Sequence, residues 1–149
     1  MDWFSLRFLK AGLVWLGLGV LFGLAMTVYP GWVVFRAIHA HLNLLGFVAM
    51  IISGVAYHVI PRFTGHPLHS PRLAGAHWWL ANVGLVALTG GFFLSLRYGP
   101  RFAPISIAGG TLSSLAAWAF IYNMWRTIDG RRRTPPPATP ARRLNVIDQ

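Results

Sequence analysis

The chain has no cysteine, and acidic residues are almost as scarce: Asp2, Asp129 and Asp148 are the only three in 149 residues. Without cysteine there is no disulfide framework, no thiolate nucleophile and no thiolate-held metal cluster. Charged residues make up 11% of the chain against 55% hydrophobic ones, about half the charged share of a typical soluble domain. Between Lys10 and Arg126 there are just five basic residues and no acidic ones. A soluble domain of this size needs far more charge to cover its surface. Lipid is the solvent this composition suits. The net charge of +10 sits at the ends of the apolar stretches, where a membrane protein needs it for topology and lipid phosphates. Nucleic acid is therefore not an expected partner.

What the chain does have is four apolar runs long enough to cross a bilayer as helices. They are predicted at about residues 11–29, 32–60, 73–96 and 102–125. The first stops at Pro30-Gly31, the second at Pro61, the third at Arg97-Tyr98-Gly99-Pro100, and the fourth before Arg126. Trp3, Tyr29, Trp32, Trp78, Trp79, Tyr98, Tyr122 and Trp125 fall where interfacial aromatic belts belong. Arg7 and Lys10 ahead of an apolar run resemble the start of a signal peptide. The run is long for one and no clear A-x-A site follows, so a retained helix is expected. The fold class is all-α, a four-transmembrane-helix bundle spanning residues 1–128.

With four spans, the N-terminus, the Pro61–Arg72 loop and the C-terminal tail share one side. That side carries ten basic residues, against Arg36, Arg97 and Arg101 on the other. The bias places both termini in the cytoplasm and the chain in a bacterial-type inner membrane. Residues 129–149, with Arg131-Arg132-Arg133 followed by Pro135-Pro136-Pro137, read as a flexible basic, Pro-rich tail lying against anionic lipid.

Small residues mark close approach: Gly19-x-x-x-Gly23 in the first helix, Gly46 and Gly54 in the second, Gly109-Gly110 in the fourth. In lipid these admit a neighbouring backbone or a flat cofactor. The reactive groups are six histidines. His39 and His41 lie near the outer end of the second helix; His58, His66, His69 and His77 lie at or near the cytoplasmic side. From His39 to His58 is about 28 Å along a helix, so one metal ion cannot use both sets. On a regular helix His39 shares a small, polar face with Asn43, Gly46, Met50, Ser53, Gly54 and Tyr57. His41 points roughly opposite, with Leu45, Val48, Ile52, Val55 and Val59. A single membrane histidine commonly bonds a backbone carbonyl. Two in the sequence His39-Ala40-His41, with no acid to pair with, also suit metal ligation, and heme is the cofactor that fits between apolar helices. His58 and His77 face one interface from adjacent helices and are weaker candidates for pairing or for a second cofactor. His66-Pro67-Leu68-His69 reads as a turn-rich loop.

The stretch Arg36-Ala37-Ile38-His39-Ala40-His41-Leu42-Asn43-Leu44-Leu45-Gly46-Phe47, continuing to Pro61-Arg62-Phe63-Thr64-Gly65, resembles the second transmembrane helix of heme–copper oxidase subunit I, a superfamily that includes nitric oxide reductases. It resembles still more the corresponding helix of NnrS-type heme- and copper-containing membrane proteins, with His-Ala-His before a small-residue helix ending in Pro-x-x-Thr-Gly. The resemblance implies heme, with b-type the expected form and copper a further candidate. It implies His39 as axial ligand, His41 as the competing choice, Gly46 making room, and Asn43 or Tyr57 supporting. The remaining ligands of those enzymes lie on later helices, so oxygen or nitric oxide reduction by this chain alone is not expected. A homodimer bringing one histidine from each protomer to a shared heme would complete the site. The function expected is electron transfer, or a response to nitric oxide or another diatomic gas. The alternative is a non-catalytic accessory or assembly subunit of a larger respiratory complex.

Overall fold

A computed structural model describes residues 2–130. Among them there is no strand, and four helices are long and apolar enough to span a membrane: α1 (Trp3–Val28), α2 (Pro30–Thr64), α3 (Pro71–Tyr98) and α4 (Pro100–Ile128). Tyr29 alone joins α1 to α2, and Gly99, at φ +103°, joins α3 to α4. Such short links make each pair antiparallel neighbours. The tail expected over residues 129–149 falls, from residue 131 on, outside the described residues.

Each helix overruns its expected bounds, and α1 does so most. Its first two turns are amphipathic rather than apolar. Phe4, Ser5 and Phe8 are buried, while Arg7 and Lys10 point outward. An apolar-run reading therefore begins eight residues late. Pro61 does not end α2 either. It lies inside the last turns, where its missing N–H costs one hydrogen bond. Thr64 Oγ1 donates to the Ile60 carbonyl at 2.9 Å, and the Arg62 guanidinium donates to the His58 carbonyl. The stop comes at Gly65, whose φ of +71° is the left-handed cap that glycine adopts without strain.

The second helix is not regular. It opens with a 3-10 stretch (Pro30–Phe35), becomes α-helical over Arg36–His41, π-helical over Leu42–Val48, and α-helical again over Ala49–Thr64. Its buried residues record the change: Ile38, Leu42, Gly46 and Met50 recur every four, before Ser53, Gly54 and Tyr57 resume the usual alternation. A π segment widens the turn, so a spacing of four keeps one face on the bundle.

Helices α3 and α4 pack backbone on backbone. A Cβ at Gly109 would strike the Leu88 backbone nitrogen, and one at Gly91 the Ser106 nitrogen. One at Gly84 would come within 2.8 Å of the Ser113 nitrogen. Lipid gives apolar side chains no reason to hide, so close van der Waals approach is what holds membrane helices together. At one end of the bundle Phe4, Phe8, Met50, Tyr57, Ala74 and Met124 form one cluster; toward the other, Phe35, Ile38 and Leu42 form a second with Trp15, Phe22 and Phe92. Leu13, Val20, Leu21 and Ile52, all more than half exposed, face outward as lipid-facing residues do.

Candidate functional site

The π segment starts one residue after His41, and it decides where the two histidines go. The face of α2 turned into the bundle there is centred on Ile38 and Leu42, both buried. His39 and His41 occupy its two flanks and are half-buried. His41 is thus on the flank of the inward face and not opposite His39, where regular helical spacing puts it.

His39 leans toward α1. Its Nδ1–H donates to the Gly19 carbonyl at 2.9 Å; a carbonyl only accepts, so that nitrogen carries the proton. Asn43 Nδ2 lies 3.3 and 3.4 Å from the two ring nitrogens but 2.8 Å from the His39 carbonyl, to which it donates. Equal, long distances to both nitrogens mean the amide sits at the ring edge between them rather than on either lone pair. The Gly19-x-x-x-Gly23 stripe makes this fit possible. A Cβ at Gly19 would lie 2.8 Å from the Asn43 amide, and one at Gly23 would lie 2.9 Å from His39 Cε1. The imidazole is wedged between two helices.

His41 leans the other way. Its Nδ1–H donates to the Ala37 carbonyl at 2.7 Å, which leaves Nε2 with a free lone pair, and its ring meets the edge of Phe92 at 5.5 Å. It lines an open groove of about 330 Å³ between α2 and α4, walled by Leu45, Leu88, Gly110, Ser113, Ser114 and Ala117. Farther along the same gap is a second space of about 210 Å³, which shares Leu45, Ser113 and Ala117 with the first and has His77 on its wall.

The remaining sequence candidates are placed as follows. Gly46 is buried, but its room is taken by Trp15: a Cβ there would come within 2.6 Å of Trp15 Cβ. Tyr57 is fully buried, and its hydroxyl donates to His77 Nδ1 at 3.0 Å. His77 thus pairs with Tyr57 and not with His58. His58, the next residue along α2, is turned about 100° away and accepts from Arg62 Nη1 at 2.9 Å. His66 binds the end of α4, its Nδ1–H shared between the Thr127 and Ile128 carbonyls at 3.1 and 3.0 Å. In the same loop Ser70 N–H donates to Asn123 Oδ1 at 3.0 Å and Asn123 Nδ2 donates back to the Ser70 carbonyl at 2.9 Å. These loop groups splice α3 to α4; they make no metal cluster. Among the described residues no three His, Cys, Asp or Glu side chains come together. The sequence reading missed the α2–α4 gap. Its trace in the sequence is the run of small residues Gly109, Gly110, Ser113, Ser114, Ala116 and Ala117 along α4.

The fold and the site define a multi-pass helical membrane protein with imidazoles set between its spans. Comparison with known proteins is specific: the chain belongs to the family described as Cytochrome C and Quinol oxidase polypeptide I, which matches residues 4–141. It is 27% identical over 160 aligned residues to the Cbb3-type cytochrome c oxidase subunit CcoN1 of Stutzerimonas stutzeri, an alignment covering 85% of this chain and 33% of that one. It is 26% identical over 135 residues to cytochrome c oxidase subunit 1 of Rhodobacter capsulatus, covering 74% of this chain and 25% of that one. To the bacteroid cytochrome c oxidase subunit 1 homolog of Bradyrhizobium diazoefficiens it is 24% identical over 156 residues, covering 83% and 28%. The chain spans a quarter to a third of the length of these relatives.

Proposed function

We propose that this chain holds a heme in the α2–α4 gap through His41 and serves electron transfer at a respiratory complex. The observation that carries the reading is the His41 imidazole: its Nδ1–H is fixed on the Ala37 carbonyl, and the ring borders a groove lined by small residues. A histidine ligand is normally oriented in this way, one nitrogen donating to a carbonyl so that the other faces the metal. His39 has the same donation but no adjoining space, since Gly19, Gly23 and Asn43 enclose it. The donor set suits a heme, an uncharged nitrogen ligand among small and mostly apolar walls. The groove's 330 Å³ takes only part of the ring, so the rest would lie against lipid or another subunit. When bound, the iron supplies one-electron exchange between its ferrous and ferric states. This chain's own part is to present His41, to exclude water with Leu45 and Leu88, and to admit the ring past Gly110 and Ala117.

A b-type heme is the form proposed, because covalent attachment through thioethers needs cysteines that the chain lacks. Copper has no assigned site, as no three ligand side chains meet among the described residues. A second ligand would come from a second copy of the chain or from a larger subunit. A heme without one would be open to nitric oxide or another diatomic gas, as the NnrS-like stretch suggests. The ten-to-three distribution of basic residues supports cytoplasmic termini and an inner-membrane location. The test is heme content, by extraction into alkaline pyridine, of protein purified from heme-replete cells. Wild type and His39→Ala are expected to carry b-type heme, and His41→Ala to have lost it. Equal content in the wild type and His41→Ala would end the assignment.

A second reading, an accessory or assembly subunit without cofactor, draws on the likeness to the oxidase subunit CcoN1. It expects co-purification with a larger oxidase subunit and no heme in the isolated wild type.

A further inference from the structure

The inner space of the α2–α4 gap carries chemistry that the heme reading does not use. Its volume of about 210 Å³ exceeds the roughly 150 Å³ that accommodates a benzene molecule in an apolar protein cavity, so one substituted six-membered ring fits. Its walls are mostly small or aromatic, among them Ala49, Ser53, Ala81 and Phe120, and it opens past Ile52, a residue 56% exposed on the lipid side. Access is therefore from the membrane.

One polar group there has its proton fixed. Tyr57 is buried, and its hydroxyl meets His77 Nδ1 at 3.0 Å and the side chain of Asn123. Asn123 Oδ1 is already taken by the Ser70 N–H, so the amide meets the phenol oxygen with its own N–H. If Nδ1 carried a proton and donated to the phenol, the phenol's own proton would be buried unpaired, which costs more than the bond returns. The phenol therefore donates to Nδ1, and the proton of the His77 ring is on Nε2. His77 borders the cavity with its other nitrogen tied down, and Phe120 packs tilted against its ring at 5.5 Å. The cavity thus offers one ring N–H, from His77, beside the hydroxyls of Ser53 and Ser113 in otherwise apolar surroundings, reached from lipid.

We propose that this cavity binds an uncharged, membrane-soluble carbonyl compound about one ring in size, its oxygen accepting from His77 Nε2–H. The site adjoins the His41 groove, sharing Leu45, Ser113 and Ala117 with it, but His77 borders the cavity and His41 does not.

The test uses the full chain in nanodiscs and fluorine NMR titration with 4′-fluoroacetophenone beside 1-ethyl-4-fluorobenzene, a probe of the same shape without the carbonyl. The carbonyl probe is expected to bind about three- to tenfold tighter, the worth of one net hydrogen bond. That preference is expected to vanish in His77→Phe, which keeps an aromatic ring in place, and to persist in His41→Ala, which removes the proposed heme ligand. Ala81→Leu, which fills the space, is expected to abolish binding of both probes. Equal affinity for the two probes in the wild type, or a preference that survives in His77→Phe, would overturn the proposal.

Discussion

Each imidazole in the described residues meets a different neighbour, and those neighbours set what each can do. His39 and His41 both donate to carbonyls, yet one is packed shut and the other faces a groove. His66 caps a helix end, His58 accepts from Arg62, and His77 accepts from a buried phenol. These environments make two predictions at the scale of the residue. Tyr57→Phe removes the donor to His77 and leaves Nδ1 bare, which costs about 1 kcal/mol of stability in reversible unfolding in mixed micelles; an unchanged unfolding midpoint would mean that the bond adds nothing. Gly23→Leu drives a side chain into His39 Cε1, which the structure places 2.9 Å from even a bare Cβ. It should cost about 1–3 kcal/mol by the same measurement while leaving heme content intact.

The π segment of α2 is the feature that organises the site at the scale of the element. Deleting one residue within Leu42–Val48, such as Leu44, lets the helix relax to regular α geometry. At about 90° per residue the seven residues turn through about 630°, and six α residues turn through about 600°, so the His41 end keeps its direction to within about 30°. That variant should keep its helical circular dichroism and its heme. Deleting Val55, from the regular turns that follow, instead turns the His41 end by about 100° and should lose the heme; heme retained in the Val55 deletion would show that His41 does not depend on the register. Hydropathy and charge made the four spans legible in the sequence, because lipid leaves few other solutions for long apolar runs. The π segment was not legible under an assumed 100° per residue, and that assumption set His41 opposite His39. The signal was present as the four-residue spacing of Ile38, Leu42, Gly46 and Met50. The Tyr57–His77 pair was out of reach, since it needs the rotation of α3 about its own axis. The first turns of α1 were missed because Phe4 and Phe8 alternate with Arg7 and Lys10, which an apolar-run reading discounts.

Across the whole molecule, the absence of cysteine becomes an experimental convenience. Single cysteines at His69, in the α2–α3 loop, and at Tyr98, at the far end of α3, are predicted to label oppositely. An impermeant maleimide added to intact cells should reach Tyr98→Cys and not His69→Cys; the reverse would invert the orientation drawn from the basic residues. The bundle is also asymmetric in how it is held. Helices α3 and α4 meet through glycine backbones, whereas α2 and α4 leave a gap between them. That rigid pair forms the floor against which His41 is presented, and the gap is the side that remains to be filled. The central claim is His41 as the heme ligand. Reduced-minus-oxidised absorption spectra of the purified wild type beside His41→Ala and His39→Ala test it most directly. A b-type difference spectrum is predicted in the wild type and His39→Ala and none in His41→Ala; a flat wild-type spectrum, or one that survives in His41→Ala, would contradict the claim.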